Sequence, residues 1–164
     1  MPISNGSGQV VSVFQASAVL TNAQLLALPT TPLVLVPPPG AGLLLRFLSG
    51  FVSKDFTAGA YANVGGNAAM YFVYDTVSVF DVASYLEDGG GTLGWMAGAS
   101  VRQMNYGPQA QTLGTAGTVL PVPSGADLRD TNIGFSIDNG GQNFTGGDAA
   151  NTMLVSTFYT VVPA

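Results

Sequence analysis

Apolar and polar positions along this chain alternate more often than they cycle with the 3.6-residue period of a helix. Residues 132–138 are the clearest case: Ile133, Phe135 and Ile137 fall on one face and polar or small residues on the other. A period of two marks a half-buried strand. Residues 152–162 form a longer run of β-branched and aromatic side chains and predict the last strand. Further strands are predicted over residues 10–14, 32–36, 43–53, 68–74 and 76–80. Residues 81–86 fit either a helical turn or a strand. Residues 92–117 are rich in Gly, Ala, Gln and Asn and carry no clear period, although Trp95 and Met96 are candidates for burial.

Punctuation between these runs is strong. Residues 21–28 give the one helix signal, a short helix near residues 22–28. Thr21 is placed to cap it, Gln24 follows three residues later, and Leu25, Leu26 and Leu28 supply an apolar side. Pro29 ends it, because the residue before a proline avoids the helical region. Pro37-Pro38-Pro39-Gly40-Ala41-Gly42 reads as a rigid turn that makes a hairpin of the strands on either side. Gly50, inside a strand pattern, suggests a bulge or bend. Residues 56–67 and Gly89-Gly90-Gly91 read as loops. Residues 118–123 read as an extended edge segment with two prolines, and Asn139-Gly140-Gly141 and residues 145–148 as turns. The expectation is an all-β chain, an antiparallel β-sandwich or jelly roll of about eight strands with one short helix. Residues 1–9, polar and rich in Gly and Ser, read as a flexible N-terminal arm, and residues 10–164 as a single domain. A domain of this length buries roughly 70% of the surface its unfolded chain exposes.

Composition narrows the function more than any motif does. Charged residues make up 8% of the 164, against about 25% in an ordinary domain. So neutral a surface points to partner interfaces, and obligate interfaces are the larger and more apolar ones. The net charge is −5, and the cations are Arg46, Lys54, Arg102 and Arg129. Four scattered cations do not displace counterions from a phosphate backbone, so nucleic acid is not an expected partner, nor is a membrane surface. The apolar run 33–51 is broken by Pro37-Pro38-Pro39 and Arg46 before it reaches the ~20 residues a membrane helix needs. No basic and apolar leader opens the chain. Cys and His are both absent, which removes disulfides, thiol chemistry, the commonest general base and the commonest metal ligand.

The remaining candidates for chemistry are weak beside their structural readings. Asp75 and Asp81 flank one predicted strand and are the best candidates for a glycosidase-like acid/base pair, but strand ends attract solvated Asp and nothing fixes their separation. Glu87-Asp88 reads as a solvated turn. Asp127, Asp130, Asp138 and Asp148 are oxygen donors, and Asp138-Asn139-Gly140-Gly141 and Gly146-Gly147-Asp148 faintly echo calcium loops. The EF-hand spacing is missing, and turn chemistry explains the same residues. Ser4, Ser7 and Ser124 have no histidine to activate them, and Lys54 alone is weak support for a Ser-Lys pair. The glycines at 40, 42 and 89–91 lack the Gly-Lys-Ser/Thr of a phosphate loop. Tyr71, Phe72 and Tyr74 suit strand packing better than stacking on sugars or bases. The expectation is therefore a non-enzymatic protein with no cofactor, no metal and no catalytic residues.

Two segments carry a resemblance. Residues 19–28 (Val-Leu-Thr-Asn-Ala-Gln-Leu-Leu-Ala-Leu) run into residues 31–42 (Thr-Pro-Leu-Val-Leu-Val-Pro-Pro-Pro-Gly-Ala-Gly). Residues 134–140 (Gly-Phe-Ser-Ile-Asp-Asn-Gly) are followed by Thr145-Gly146-Gly147-Asp148 and by residues 155–162 (Val-Ser-Thr-Phe-Tyr-Thr-Val-Val). This order resembles a group of small virion proteins of tailed bacteriophages. It covers the first quarter and the last fifth of the chain, and its motifs are structural ones. The resemblance implies a jelly-roll capsid decoration, or cement, protein. Such a protein is made in the host cytoplasm, assembles as a homotrimer on the capsid surface and bridges major capsid protein subunits, with arm and sheet edges available for strand addition. It assigns no capsid-binding residues. Rival expectations are a tail or fibre component that meets a host receptor or glycan through Tyr85, Trp95 or Tyr106, a glycan hydrolase built on Asp75 and Asp81, and a carbohydrate-binding module.

Overall fold

The computed structural model describes residues 3–4, 10–56, 59, 61–62, 69–74, 80–86, 101–106, 128–138 and 143–164. Their elements are β1 (Ile3–Ser4), β2 (Val10–Val11), β3 (Phe14–Leu20), α1 (Asn22–Ala27), β4 (Leu33–Val36), β5 (Leu43–Asp55), β6 (Tyr61–Ala62), β7 (Ala69–Tyr74), β8 (Phe80–Leu86), β9 (Val101–Tyr106), β10 (Ile133–Asp138), β11 (Thr145–Gly146) and β12 (Thr152–Pro163). The fold is all-β and antiparallel. One four-stranded sheet has the order β3-β12-β5-β9 and the other β4-β10-β7-β8, and β1-β2 and β11-β6 are two-residue ribbons.

The order follows a simple rule. Of the eight strands in the two sheets, the first pairs with the last (β3–β12), the second with the seventh (β4–β10), the third with the sixth (β5–β9) and the fourth with the fifth (β7–β8). The eight strands thus pair in a nested order, and β12 also meets β5 and β10 meets β7. The apolar face of each sheet lies against the other. Leu20, Leu45, Phe47, Val52, Met153 and Val155 of one sheet share a core with Val36, Met70, Phe72, Ile133, Phe135 and Ile137 of the other. The alternation read in residues 132–138 holds, with Ile133, Phe135 and Ile137 wholly buried. Phe72 lies between Phe47 at 5.2 Å and Phe135 at 5.4 Å, ring centroid to centroid. Tilted aromatic pairs of this kind add about 0.5–1.5 kcal/mol each beyond the area they bury.

α1 forms where its cap signal lies. Gln24 Oε1 accepts the Thr21 backbone N–H at 3.0 Å, one half of a capping box, and Leu25 and Leu28 are buried beneath the helix. Six residues are too few for an isolated helix, so packing holds this one.

Several expectations need correction. The strands around Pro37-Pro38-Pro39 are not a hairpin: β4 lies in one sheet and β5 in the other. The prolines lack the N–H groups of a ladder, so the segment crosses between the sheets. Asp130 clamps this crossing. It takes a positive φ of 54°, its Oδ1 accepts the Gly40 N–H at 2.9 Å, and its own N–H reaches the Leu43 carbonyl at 3.0 Å. The bulge in β5 is not at Gly50. Phe158 pairs with Ser49 and Tyr159 with Phe47, which makes Leu48 the extra residue. The inward set therefore runs Leu45, Phe47, Gly50, Val52, Lys54. Gly50 is small for another reason: a Cβ there would stand 2.5 Å from the Phe72 ring. Residues 81–86 are strand, and residues 101–106, unread in the sequence, are β9. Within the segment read as the arm, Ile3–Ser4 pairs with Val10–Val11. Phe56 and Tyr61, read as loop, are buried. The expectations on residues 76–79, Gly89-Gly90-Gly91, Trp95, Met96, 118–123 and 139–141 lie outside the described residues.

Candidate interaction surface

The outward face of the β3-β12-β5 sheet is built row by row from the strand register. Val19, Leu154 and Ser53 form one row, Ser17, Ser156 and Phe51 the next, and Gln15, Phe158 and Ser49 the third. None of these positions carries a charge. The middle row is held by hydroxyls. Ser17 and Ser156 share a hydrogen bond of 2.8 Å, and Gln15 Nε2 donates to Ser156 Oγ at 3.0 Å, so Ser156 is wholly buried although it faces outward. The face is neutral and ordered, and partly apolar.

It continues around the β3 side of the sandwich. Val19 is 63% exposed on β3 and Val34 48% exposed on β4, the two edge strands on that side. Between them α1 and both strands frame a groove of about 170 Å³, lined by Leu20, Gln24, Ala27, Leu28, Leu33 and Val34 among others. Phe14, 45% exposed at the far end of β3, stacks on Tyr159 at 5.6 Å.

A second polar cluster secures the loop before β12. Tyr61 Oη donates to Asn22 Oδ1 at 2.6 Å, and Asn151 Nδ2 donates to the Gly59 carbonyl at 3.1 Å. Asn151 is fully buried, and its Oδ1 has no hydrogen-bond partner among the described residues. Gly147 has a φ of +72°, and a Cβ on it would meet the Tyr61 ring at 2.5 Å and Asn22 Oδ1 at 2.6 Å. Asp148 Oδ1 accepts the Ala150 N–H at 2.8 Å. That is the turn role of Asp, and it fits the turn reading of residues 145–148.

The other sequence candidates that fall on described residues lie on different elements. Asp81 lies in β8 opposite Val73, while Asp75, Glu87, Asp88 and Asp127 are outside the described residues. Asp138 ends β10 opposite Ala69, and Asp130 serves the crossing turn. Among the described residues no three acidic, Cys or His side chains gather to hold a metal. Ser4 falls in β1, Ser7 and Ser124 lie outside the described residues, and Tyr85 and Tyr106 fall in β8 and β9. Phe72 and Tyr74 are core residues. Lys54 departs most from its reading as one of four scattered cations. It is wholly buried on the inward face of β5, with its Nζ 4.6 Å from the centre of the Phe56 ring. Arg46 and Arg129 are exposed.

Two buried phenols contribute to the response at alkaline pH. Tyr74 Oη accepts the Phe47 N–H at 2.7 Å. Burial pushes the Tyr74 phenol above its ordinary 10.0, against a smaller pull downward from that hydrogen bond and from Arg46. Burial also raises Tyr61. Asn151 opposes that rise and the charge of Asp148 adds to it. Above pH 10.0 the unfolded chain loses these protons first, so stability falls as pH rises; below pH 10.0 both states keep them and the term vanishes. The thermal midpoint is expected to drop as the pH rises above 10.0, and less steeply in Tyr61→Phe. Identical slopes in the two proteins would remove Tyr61 from the account.

No protein-family model, curated protein or solved structure matches this chain.

Proposed function

We propose that this chain is a structural virion protein of a tailed bacteriophage. In this reading it is a capsid decoration protein that assembles with itself, as a homotrimer, and bridges major capsid protein subunits on the outside of the head. The observation that carries the reading is where the two resembling segments fall. Residues 19–28 and 31–42 supply the end of β3, α1 and β4, and residues 134–140, 145–148 and 155–162 supply most of β10, β11 and most of β12. Far apart in sequence, two of these stretches are ladder partners in space, Leu33 and Val34 of β4 with Phe135 and Gly134 of β10. A motif split between the ends of the chain is what one packed unit leaves in a sequence when its strands pair in a nested order.

The nested strand order supports the finer fold assignment, a jelly roll, which is the double-sheet solution common in capsid and lectin domains. The neutral outward face of β3-β12-β5 and the exposed Val19 and Val34 suit permanent interfaces, which are larger and more apolar than transient ones. The role is mechanical. A protein bound across subunit boundaries stabilises the assembled shell by mass action, since it binds the closed lattice and not its separated parts.

Copy number tests this directly. Particles of the phage that encodes the chain are purified, and the protein is quantified against the major capsid protein by mass spectrometry. Equimolar amounts, or a simple fraction, are expected. A handful of copies per particle would overturn the capsid role and favour the tail or fibre reading.

A further inference from the structure

The four edge strands of the sandwich differ in how well they are protected against adding another strand. An edge presents a row of backbone groups that a further strand can pair with, and proteins block this with charge, proline or shortness. β4 is four residues long with Pro32 before it and Pro37 after it; β8 contains Asp81, and β9 contains Arg102. β3, Phe-Gln-Ala-Ser-Ala-Val-Leu, has seven residues, no charge and no proline, and β12 is its single ladder partner among the described residues.

We infer that β3 is a strand-addition site for β3 of a second copy of this chain, paired antiparallel about a two-fold axis at Ser17. Self-pairing is favoured over a foreign strand on two grounds. The chain carries a net charge of −5, so two copies approach best where neither carries charge; of the two uncharged edge strands, β3 has seven residues and no flanking proline, whereas β4 has four between Pro32 and Pro37. Its sequence is also matched to itself. The two-fold sets Ser17 on Ser17 and Ala16 on Ala18, so the centre is small on both sides. It sets Gln15 of one copy opposite Val19 of the other, and Phe14 opposite Leu20. Val19 and Phe14 are two of the four large hydrophobic side chains left exposed among the described residues, and the pairing covers both. Gln15 and Ser17 are already held by hydrogen bonds to Ser156, so little side-chain freedom is lost on docking. The joined sheets form one eight-stranded layer across the axis. A two-fold contact does not close a trimer. On a capsid it joins copies of neighbouring trimers, and its failure leaves copy number per particle untouched, so the two proposals fail separately.

The absence of Cys makes the test clean. Ser17→Cys places one thiol at the axis, within reach of its symmetry mate. Ala41→Cys, on the exposed turn before β5, is the control. After mild oxidation of the full chain, or treatment with a short bis-maleimide, Ser17→Cys is expected to run as a covalent dimer on a non-reducing gel and Ala41→Cys as a monomer. Sedimentation of Val19→Lys, whose side chain is mostly in solvent and whose loss leaves the core intact, is expected to show dimerisation weakened by about tenfold or more. Gln15→Lys repeats the measurement from the opposite position in the pair. Cross-linking of Ser17→Cys no better than that of Ala41→Cys, or unchanged self-association in both lysine variants with unchanged circular dichroism, would overturn the inference.

Discussion

Gly50→Ala is expected to lower the stability of the fold by about 1–3 kcal/mol, a large loss for one methyl group. The added Cβ would stand 2.5 Å from Phe72 Cζ, 2.6 Å from Cε2 and 3.0 Å from the Ser156 carbonyl oxygen. Neither neighbour has room to retreat. Ser156 O belongs to the backbone of the central strand β12, and Phe72 is wholly buried between the rings of Phe47 and Phe135. Helix or strand propensity alone would have made alanine the better residue by up to about 1 kcal/mol, so the sign of the measured change separates packing from propensity. Urea unfolding of Gly50→Ala, Phe72→Leu and the double variant reads the coupling. Phe72→Leu alone opens space and is costly. Combined with Gly50→Ala it is expected to cost less than the sum, because the methyl group enters the space the ring has left. Additive losses would mean that the two sites do not share that volume.

β10 and β12 were legible because each strand carries its own signal: alternation in the first, β-branched and aromatic residues in the second. The cap of α1 was legible for the same reason, since Thr21 and Gln24 lie three residues apart. β3 was read only at its start. Its inward residues Ala16 and Ala18 are small and its outward Val19 is large, so its hydrophobic contrast is inverted. The hairpin assigned to Pro37-Pro38-Pro39 failed because turn chemistry shows where a chain bends and not which sheet it joins. The inward place of Lys54 is not legible, because the bulge at Leu48 that sets it leaves no mark in the sequence. The interaction surface was legible as a shortage of charge and not as a place. Whether a strand is an edge is decided by its partners, and those of β3 and β4 lie more than ninety residues away.

Tyr74→Phe is expected to cost about 1–3 kcal/mol, although it removes one oxygen and preserves the ring. The bulge at Leu48 disturbs the β5–β12 ladder, as an extra residue does, and Phe47 lies beside it. Its N–H finds the Tyr74 hydroxyl instead, at 2.7 Å, and Tyr74 belongs to the facing sheet. The hydrogen bond therefore links the two layers at the point where one of them is irregular. Phe47 is 5% exposed and Tyr74 is 7% exposed, so water does not readily replace the lost acceptor. The penalty is that of a buried donor left unpaired, which exceeds the net worth of an ordinary hydrogen bond. Hydrogen exchange gives the more specific reading. In Tyr74→Phe the Phe47 amide is expected to lose protection beyond the global loss of stability, while the Val52 amide, four residues past the bulge, changes only by the global amount. Equal changes at both amides would assign the lost stability to general loosening of the core. A stability change below about 0.5 kcal/mol would show that the bulged strand satisfies its N–H without the tyrosine.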